Sequence, residues 1–511
     1  MDNKENMKIP KEKFEFAPRE GKIHDKKLDT KPIGYFKDAW IRFRKNKSSV
    51  AASIIIIILV LFAIFVPIFS DYTVESRDGY YATVLPKNDF FAQFGFWNGA
   101  ASKTTSKAGY YYNKSIGIES GFDAVVSDYK ITTDSEGNES YTYDVDSYAS
   151  VGYVYLNLTA EEYRALQAYQ DENQVQVMYP MPKTYKNRYS FGNNGANFWY
   201  ELKNPRENSD GMPKLDADGN FVANYITSSN KERADYTSTM RIEGDGEDGD
   251  WYAYAVKNQT GYKVRVLYYE YYTYLNGHTP SFLFGTNAYG QDIFTCLAAG
   301  ARLSFILAIS IAAINLTIGA VYGAIEGYYG GAADIIMERI SDILSSVPFI
   351  VVVTLFKLHI ADKVGILPTL LFAFVLTGWV GTASRVRLQF YRFKNQEYIL
   401  AARTLGAKDG RLMFKHIFPN AIGTIITGSV LVIPSVIFSE STLSYLGIIN
   451  LETSALTSVG TLLSQGQGYL STHPHIILFP ALFISLLMIS FNLFGNGLRD
   501  AFNPSLRGVE D

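Results

Sequence analysis

The stretch from Glu397 to Asn420 reads EYILAARTLGAKDGRLMFKHIFPN, and it stands between two apolar segments long enough to cross a bilayer. It is polar and basic, with cationic side chains at Arg403, Lys408, Arg411 and Lys415. Its pattern is helical with small residues on one face, and such a face lets another protein approach the backbone closely. The stretch therefore predicts a cytoplasmic loop of a membrane protein that presents a short helix to a soluble partner.

Two further positions bear on how this loop is built. Gly406 lies inside the helical pattern, where glycine costs about 1 kcal/mol relative to alanine, so we expect a bend or a close contact there. Pro419 cannot continue a helix, so it predicts a break before the next apolar segment. The alternative is an ordinary basic loop that the positive-inside rule keeps on the cytoplasmic side.

Beyond this loop, the chain of 511 residues divides into a polar part and an apolar part. The segment from 71 to 280 is polar, acidic and rich in tyrosine, whereas the segment from 300 to 497 consists of apolar blocks of about 20 residues, the length that spans a bilayer. The single cysteine, Cys296, excludes an internal disulfide, so the polar part is not a disulfide-stapled secreted domain.

The first apolar block covers residues 48–69, SSVAASIIIIILVLFAIFVPIF. Basic residues precede it and Asp71 and Glu75 follow it, an asymmetry that places the N-terminus inside. A cleaved signal peptide is the alternative, but the charged leader before the block is long and no small-x-small cleavage site follows. We therefore predict an uncleaved transmembrane helix.

Five further apolar blocks bring the predicted spans to six. They cover residues 302–327, 336–358, 364–386, 420–445 and 474–497. Counted from an inside N-terminus, both the basic loop and the C-terminal tail fall on the cytoplasmic side, in agreement with the charge bias. The predicted organisation is a cytoplasmic tail (1–47), a first transmembrane helix (48–70), an extracytoplasmic insert (71–280), a five-span core with the loop 387–419 (281–500), and a cytoplasmic tail (501–511).

The insert reads as a mixed, β-rich domain. Alternating segments at 129–132 and 141–145 flank a turn at 134–138, which is a hairpin signature. Residues 215–220 predict another turn, and residues 264–274, VRVLYYEYYTY, predict a long terminal strand.

A helix is predicted from Thr159 to about Asn173, because Thr159 and Glu162 form a capping box. Acidic runs at 216–220 and 243–250 invite a calcium site, but neither completes a calcium-binding loop, so solvated turns are favoured. The clustered tyrosines at 110–112 and 268–274 fit a domain core better than a binding surface, although either use would enrich tyrosine.

Several polar residues in the apolar part were weighed as functional groups. His416 has no recognisable catalytic neighbours, so an interaction at a helix end is favoured. His473 and His475 favour an interfacial turn over a metal site. Glu326, Lys357 and Glu440 would be costly in lipid, so we expect them at span ends or facing the protein interior, with Glu440 well inside a span.

The basic loop and several other motifs resemble the oligopeptide and dipeptide ABC importer permeases, in particular their C-type subunit. The other motifs are GTNAYGQD (285–292), GARLS (300–304), GYYGGAAD (327–334), SVP (346–348), SESTLSYLG (439–447), NLFGNGLRDAFNP (492–504) and the basic leader WIRFRKNK (40–47). The likeness covers about 30–70 and 280–508, so it says nothing directly about the insert. Within these ranges the chain departs from the family pattern at five positions: Asn287, Gln291, Leu400, Asn496 and Asn503.

The resemblance implies an α-helical polytopic membrane protein with six transmembrane helices, which forms half of a translocation pathway in the cell membrane. It implies a heterodimer with a second permease subunit, two cytoplasmic ATPases that bind ATP and Mg²⁺, and an extracytoplasmic solute-binding lipoprotein. The chain itself would be no enzyme, would hold no cofactor or metal, and would contact membrane lipid but no nucleic acid. It contains no GxxxxGK[ST] phosphate loop, in keeping with ATP binding by other chains.

The same resemblance assigns candidate site residues. Those of the ATPase-coupling loop are Tyr398, Ala401, Ala402, Gly406, Ala407, His416 and Pro419. Those of the pathway or of structural motifs are Arg302, Pro348, Glu440 and Gly447.

Other functions remain open at this point. The solute is expected to be a peptide, with nickel chelates or another small solute as alternatives. A membrane-anchored receptor or adhesion protein would have no need of the coupling loop. An ion-coupled secondary transporter would show matched half repeats, and we find none in the sequence.

Overall fold

The computed structural model describes residues 34–135, 137–183, 195–204, 210–228, 240–242, 251–453 and 456–502. The chain begins with helix α1 (Tyr35–Lys45), which is joined at Asn46 to helix α2 (Lys47–Phe69). Asn46 caps α2, because its side chain accepts a hydrogen bond from the backbone N–H of Ser49. The apolar face of α1 packs on the last helix of the chain, where Phe43 meets Phe494 edge to face.

The insert is built from ten short strands and four helices among the described residues. The strands are β1 (Ala100–Thr105), β2 (Lys130–Thr133), β3 (Glu139–Asp146), β4 (Tyr153–Leu158), β5 (Met178–Tyr179), β6 (Thr227–Ser228), β7 (Met240–Ile242), β8 (Trp251–Ala253), β9 (Ala255–Lys257) and β10 (Tyr262–Leu267). The helices are α3 (Asp89–Ala92), α4 (Lys107–Ser120), α5 (Ala160–Asn173) and α6 (Tyr268–Asn276). The strands form three antiparallel sheets, ordered β1-β3-β2, β4-β10-β5 with β9 also on β10, and β6-β8-β7.

The structure confirms three local predictions for the insert. Strands β2 and β3 form the predicted hairpin, and α5 starts from the capping box of Thr159 and Glu162. The turn at 215–220 is closed by the pairing of Leu215 with Phe221, and the Asp216 carboxylate accepts backbone N–H bonds within the turn. The other acidic run, 243–250, lies outside the described residues.

The predicted long strand over 264–274 is wrong. Strand β10 ends at Leu267, and the following tyrosine-rich residues form α6. Tyr268 and Tyr272 are four residues apart, so a helix places both rings on one buried face, whereas a strand would also direct the charged Glu270 to that face. Gly277 ends the helix in the left-handed conformation, with φ of 73°.

The tyrosines are largely core residues, as predicted. Tyr110, Tyr112, Tyr268 and Tyr272 are all buried in apolar clusters. The core also holds a buried ion pair between Arg265 and Glu119. Burial alone would lower the pKa of Arg265, but Glu119 raises it above its ordinary value, so the guanidinium stays charged.

Beyond the insert, the described residues are mostly helical. It comprises α7 (Ile293–Tyr329), α8 (Gly331–Ser346), α9 (Phe349–Val364), α10 (Ile366–Gly378), α11 (Val380–Phe393), α12 (Glu397–Thr404), α13 (Asp409–Arg411), a π-turn (Leu412–Ile417), α14 (Phe418–Val430), α15 (Val432–Tyr445), α16 (Val459–Gln467) and α17 (His475–Phe502).

Within the described residues, five helices are long and apolar enough to cross a membrane. They are α2, α7, the continuous α10–α11, the continuous α13–α15, and α17. Helices α8 and α9 pass the same test only together, and they are bent by 75° at the break between them. The count reaches the predicted six if this bent pair is one span.

The predicted break at Pro419 is wrong, because the helix from Asp409 to Tyr445 runs through it. Pro419 lies in the first turn of α14, directly after the π-turn. Proline lacks the N–H that an α-helix would use, and a local π-adjustment lets the helix continue. The chain breaks earlier instead, between α12 and α13.

The insert is joined to the membrane helices through a hydrogen-bonded base. The chain enters the insert through residues 83–87, and these residues bond the segment before α7 at three points. The bonds run from the Thr83 N–H to the Asn287 carbonyl, from the Thr286 N–H to the Val84 carbonyl, and from the Lys87 N–H to the Phe282 carbonyl. The two ends of the insert therefore lie side by side, above α2 and α7.

Candidate coupling site

The short helix α12 is held to the membrane helices along one side. Ile399 is fully buried, and Ala402 and Ala407 are partly buried against the same cluster, which includes Leu412 and Ile417. This contact fixes the orientation of α12, and as a result the opposite side of the helix stays free of the membrane helices.

The opposite side of α12 is apolar and exposed. Tyr398, Leu400 and Ala401 are exposed there, and Leu405 has 88% of its surface accessible. Tyr398, Ala401 and Leu405 follow one another at helical spacing, so they form one exposed strip, and exposed apolar patches mark docking surfaces. We call residues 397–406, which are α12 and the two residues after it, the docking helix; of the two predicted alanines, Ala401 lies on its exposed face and Ala402 on its inner face.

Gly406 does not lie inside a helix, contrary to the sequence prediction. It follows the end of α12 in the left-handed conformation, with φ of 84°. Its N–H donates to the Arg403 carbonyl at 3.0 Å, and the next N–H, of Ala407, donates to the Ala402 carbonyl at 3.1 Å. These bonds close the helix end, and among the described residues other than its two chain neighbours none has a heavy atom within 4 Å of the position where a Cβ would stand.

The remaining predicted loop residues support the next helix. The Asn420 amide donates to the Tyr398 hydroxyl at 3.2 Å and to the His416 carbonyl at 2.8 Å. Partial burial raises the pKa of Tyr398 above its ordinary value. His416 is half-buried within the π-turn rather than at a helix end, so the predicted terminal interaction is wrong. Pro419 is exposed.

Tyr328, near the end of α7, connects the last turn of α12 to the start of α13. Its hydroxyl donates to the Asp409 carboxylate at 2.6 Å, at the start of α13. The Arg403 guanidinium, in α12, lies 5.9 Å from the ring centre and donates to the same hydroxyl at 3.4 Å. One side chain from a membrane helix thus holds the C-terminal end of α12 and the start of the next helix.

A second polar cluster lies where α7, α8 and α11 meet. The Arg387 guanidinium bonds Asp334 at 2.6 and 2.9 Å and Glu338 at 2.7 and 3.0 Å, and it lies 3.4 Å from Glu326. The Tyr391 hydroxyl also donates to Asp334. The predicted placement of Glu326 near a span end, facing the protein, is confirmed.

Lys394 extends this cluster toward the docking helix. Its ammonium group donates to the Gly327 carbonyl at 2.9 Å and lies 4.3 Å from the centre of the Tyr391 ring. Burial lowers the pKa of Lys394, while the nearby Asp334 carboxylate acts in the opposite direction. Since α12 begins three residues later, at Glu397, this cluster connects the docking helix to α7 and α8.

The third cluster surrounds Glu440, which is buried inside α15 as predicted. Three serine hydroxyls donate to its carboxylate: Ser304 at 3.2 Å, Ser444 at 3.0 Å and Ser458 at 2.8 Å. They come from α7, α15 and the N-cap of α16. Hydroxyl donors satisfy a buried carboxylate without a buried cation.

Two glycines allow the three helices around Glu440 to approach closely. A Cβ added to Gly300 would meet the backbone of Ser458 at 2.9 Å, and one added to Gly460 would meet the Ser441 Cα at 2.5 Å. The Gly300 and Ser304 motif and the Glu440 motif of the sequence therefore belong to one site. Ser458 was missed, and its only signal was the N-cap spacing of Ser458 and Thr461.

The other predicted pathway residues lie apart from Glu440. Arg302 is exposed, Pro348 is exposed at the 75° bend between α8 and α9, and Gly447 is exposed with φ of 70°. Lys357, in α9, donates to the carbonyl of Ile448 in the segment after α15.

Two departures from the family pattern turn out to form a pair. The Asn287 amide donates to the Gln291 side-chain oxygen at 2.8 Å, and both residues are buried. A neutral amide pair thus stands where the pattern has an acid and a base, and it needs no charge in the buried base of the insert.

No group of three or more His, Cys, Asp or Glu side chains is positioned to hold a metal ion in the part of the chain that the structure describes. The rings of His473 and His475 lie 6.2 Å apart, edge to face. Burial lowers the pKa of His473.

Two stretches of the chain match known families. Residues 316–508 match "Binding-protein-dependent transport system inner membrane component", and residues 34–87 match "N-terminal TM domain of oligopeptide transport permease C". The second match extends past the first span to the base of the insert.

Similar proteins are peptide permeases. The oligopeptide transport system permease protein OppC of Bacillus subtilis is 45% identical over 224 residues, 44% of this chain and 72% of that protein. The dipeptide transport system permease protein DppC of the same organism is 42% identical, over 44% of this chain and 69% of that protein. DppC of Lactococcus lactis is 38% identical, over 45% of this chain and 65% of that protein.

Proposed function

The chain belongs to the family of oligopeptide and dipeptide transport permeases, and from this premise we propose that it forms one half of the translocation pathway of a peptide ABC importer. It is a multi-pass membrane protein and no enzyme, since its relatives are permease subunits. Separate ATPase subunits, which bind ATP and Mg²⁺, supply the energy. The observation that carries this proposal is the docking helix, anchored on one side and exposed on the other.

The docking helix fits a cleft of a cytoplasmic ATPase. Leu405 is the natural centre of the contact, because it protrudes most and makes the least contact within its own chain. Gly406 keeps the space beside it open, since no atom approaches its Cβ position. A small, apolar, preorganised helix end loses little conformational entropy when it is buried in a partner.

The polar contacts around Tyr328 and Arg387 would transmit the movement of the docking helix. Tyr328 bonds Asp409 and contacts Arg403, so a movement of the docking helix would move α7 with it. Arg387 joins α11 to α8 and α7, and α8 leads into the bend at Pro348. Alternating access requires that ATP binding favour one of two arrangements of these helices over the other.

A second permease subunit is the proposed partner of the bent pair α8–α9. Both helices expose large aliphatic side chains on their surface: Ile335, Ile336, Ile340, Ile343, Val347, Ile350, Val351, Leu355 and Leu358. Single exposed apolar residues are normal on a protein surface. Here, however, both α8 and α9 expose several of them, on either side of the 75° bend. A heterodimer that encloses the pathway would bury part of this surface.

Peptides are the proposed solute, because the relatives are oligopeptide and dipeptide permeases. Nickel chelates or another small solute are the alternatives. We further propose that both termini are cytoplasmic, that the insert is extracellular, and that it serves as a docking platform for a solute-binding lipoprotein or as a guard over the pathway.

The insert proposal has a direct test. Because Lys87 N–H bonds the Phe282 carbonyl, replacing residues 88–280 by a short Gly/Ser linker keeps the hydrogen-bonded base. If the insert docks the binding protein, uptake at limiting solute and binding-protein-stimulated ATP hydrolysis both fall, while the ATPases still copurify. If both rates stay at the parent level, the insert is only a spacer.

The ATPase contact is tested by substituting the most exposed residue of the docking helix. Leu405→Arg should sharply reduce copurification of the ATPases, because it places a charge in an apolar contact, while expression and membrane insertion are unchanged. Leu405→Met is the matched control and should copurify the ATPases normally. Equal copurification by the Leu405→Arg chain would contradict this role of the docking helix.

A further inference from the structure

The insert carries an exposed aromatic loop, residues 88–98, that the transport function does not use. Its sequence, NDFFAQFGFWN, holds five aromatic residues and one charged residue. The loop is closed at its neck, where Lys87 pairs with Asn98 and the Asn88 N–H donates to the Trp97 carbonyl at 2.8 Å. It is therefore a compact, ordered element.

Three phenylalanines of the aromatic loop are exposed. The accessible fractions are 64% for Phe90, 65% for Phe94 and 51% for Phe96. Their rings contact one another, with centroids 5.7 Å apart for Phe90 and Phe94 and 6.3 Å apart for Phe94 and Phe96. They form one apolar patch rather than three scattered side chains, and such patches mark contact with another surface.

The base of the aromatic loop contacts the spanning helices. Trp97 stacks within 6.5 Å of Phe284 and within 6.3 Å of Phe479, and Phe284 stacks on Phe479 at 4.0 Å. Phe479 lies near the start of the span α17, and Phe284 also contacts Phe294 near the start of the span α7.

This aromatic row continues into the membrane. Phe294 meets Phe62, which lies within the span α2. Beside Phe479, Leu478 and Leu482 of α17 are exposed as well. The aromatic loop is thus linked to the end of the span α17 through Trp97, whose ring lies 5.8 Å from that of Phe96 and 6.3 Å from that of Phe479.

The backbone holds Trp97 in this position. Trp97 has φ of 55°, a left-handed conformation that is unusual for a bulky residue, and Gly95 just before it has φ of 82°. The two turns direct the tryptophan toward α17, and the three phenylalanines stay on the exposed side.

We infer that the aromatic loop anchors the insert to the membrane by placing Phe90, Phe94 and Phe96 in the interfacial region of the lipid bilayer. Aromatic side chains are enriched where a protein crosses from the hydrocarbon core to water, and a loop almost without charge can enter that region. The bilayer is favoured over a protein partner, because the loop packs on the ends of spans that lipid must cover. The inference requires that α2, α7 and α17 span the membrane, and it does not depend on which solute is transported.

The test measures the depth of single nitroxide labels. In a Cys296→Ala background, the label is attached to Phe94→Cys, or to Phe90→Cys as a second variant. The assembled transporter is reconstituted into phosphatidylcholine/phosphatidylglycerol vesicles. The control is Ser102→Cys, on the exposed face of β1 in the same domain. Collision rates with oxygen, which concentrates in lipid, and with a water-soluble nickel chelate are compared.

We expect oxygen collisions to exceed nickel collisions at positions 94 and 90, and the reverse at position 102. Water-like values at positions 94 and 90 would overturn the inference. Protection from both reagents would also overturn it, because a protein rather than lipid would then cover the patch. The readout needs no transport, so its failure is distinct from a failure of the proposed function.

Discussion

Arg387 in α11 and Asp334 in α8 are joined by two nearly parallel hydrogen bonds of 2.6 and 2.9 Å. The same guanidinium also bonds Glu338, so a single arginine holds two carboxylates of α8 while it lies 3.4 Å from Glu326 of α7. Arginine suits this position because its planar group can bond two carboxylates at once. The docking helix begins ten residues after Arg387, so this pair lies between that helix and the bent pair.

Removing Arg387 should destabilise the cytoplasmic end of the helices. Arg387→Ala leaves clustered carboxylates without their cation, a loss of about 3 kcal/mol by analogy with buried pairs, and it should lower the midpoint of thermal unfolding and abolish most uptake. Arg387→Lys should recover only part of both, since lysine cannot form the two-pronged contact.

The matched control is Arg392→Ala, an exposed arginine of the same helix. It should leave thermal stability unchanged. If the Arg387→Ala chain had the thermal stability and uptake of this control, the Arg387–Asp334 pair would contribute to neither, and the prediction would be wrong.

Glu440 should act as a structural acceptor rather than as a proton carrier. Three serines donate to it, and glutamine keeps one acceptor oxygen for the bonds from Ser444 and Ser458. We expect Glu440→Gln to retain uptake within about threefold, a cost under about 1 kcal/mol. Glu440→Leu should assemble poorly, because it strands buried hydroxyls at about 1–3 kcal/mol each. Loss of uptake by a well-assembled Glu440→Gln chain would instead indicate a proton carrier.

Gly406 offers a way to separate backbone strain from partner contact. Its φ of 84° makes Gly406→Ala costly by about 1–2 kcal/mol, and Gly406→Asn should cost less because asparagine tolerates this conformation. Gly406→Trp adds a large side chain where the ATPase is proposed to bind, so it should abolish ATP-driven uptake while membrane insertion persists. If the Gly406→Trp chain showed the same uptake as the Gly406→Ala chain, Gly406 would not lie in the ATPase contact.

The proposed topology is tested by thiol labelling in intact cells. After Cys296→Ala removes the native thiol, a cysteine at Ser135 in the β2–β3 turn should react with a membrane-impermeant reagent. A cysteine at Lys408, beside the docking helix, should react only after the cells are permeabilised. Labelling of the Lys408 position alone in intact cells would invert the topology.

Local signals predicted the fold where the contacts are local. The capping box of Thr159 and Glu162 and the hairpin around residues 134–138 need only neighbours in sequence, and both formed as predicted. Residues 264–274 misled because alternating tyrosines suit a strand as well as a helix, and the buried face available to Tyr268 and Tyr272 decided for the helix. The predicted helix break at Pro419 was wrong because the π-turn just before it lets the helix continue.

The sites themselves could be predicted only in part. Burial of Glu440 followed from the cost of a charge in lipid, but its donor Ser304 is 136 residues away, and no local pattern joins the two. The role of Arg387 was likewise hidden, since a basic residue at a span end is also what the positive-inside rule predicts. Which face of the docking helix is exposed depends on the burial of Ile399, a tertiary contact.

The most direct measurement of the central claim is uptake of a labelled peptide into proteoliposomes that contain this chain, its partner permease, the ATPases and the solute-binding protein. We predict uptake that requires ATP and the binding protein, that is lost with Leu405→Arg and that is kept with Leu405→Met. Peptide uptake that is independent of ATP, or unaffected by Leu405→Arg, would contradict the account.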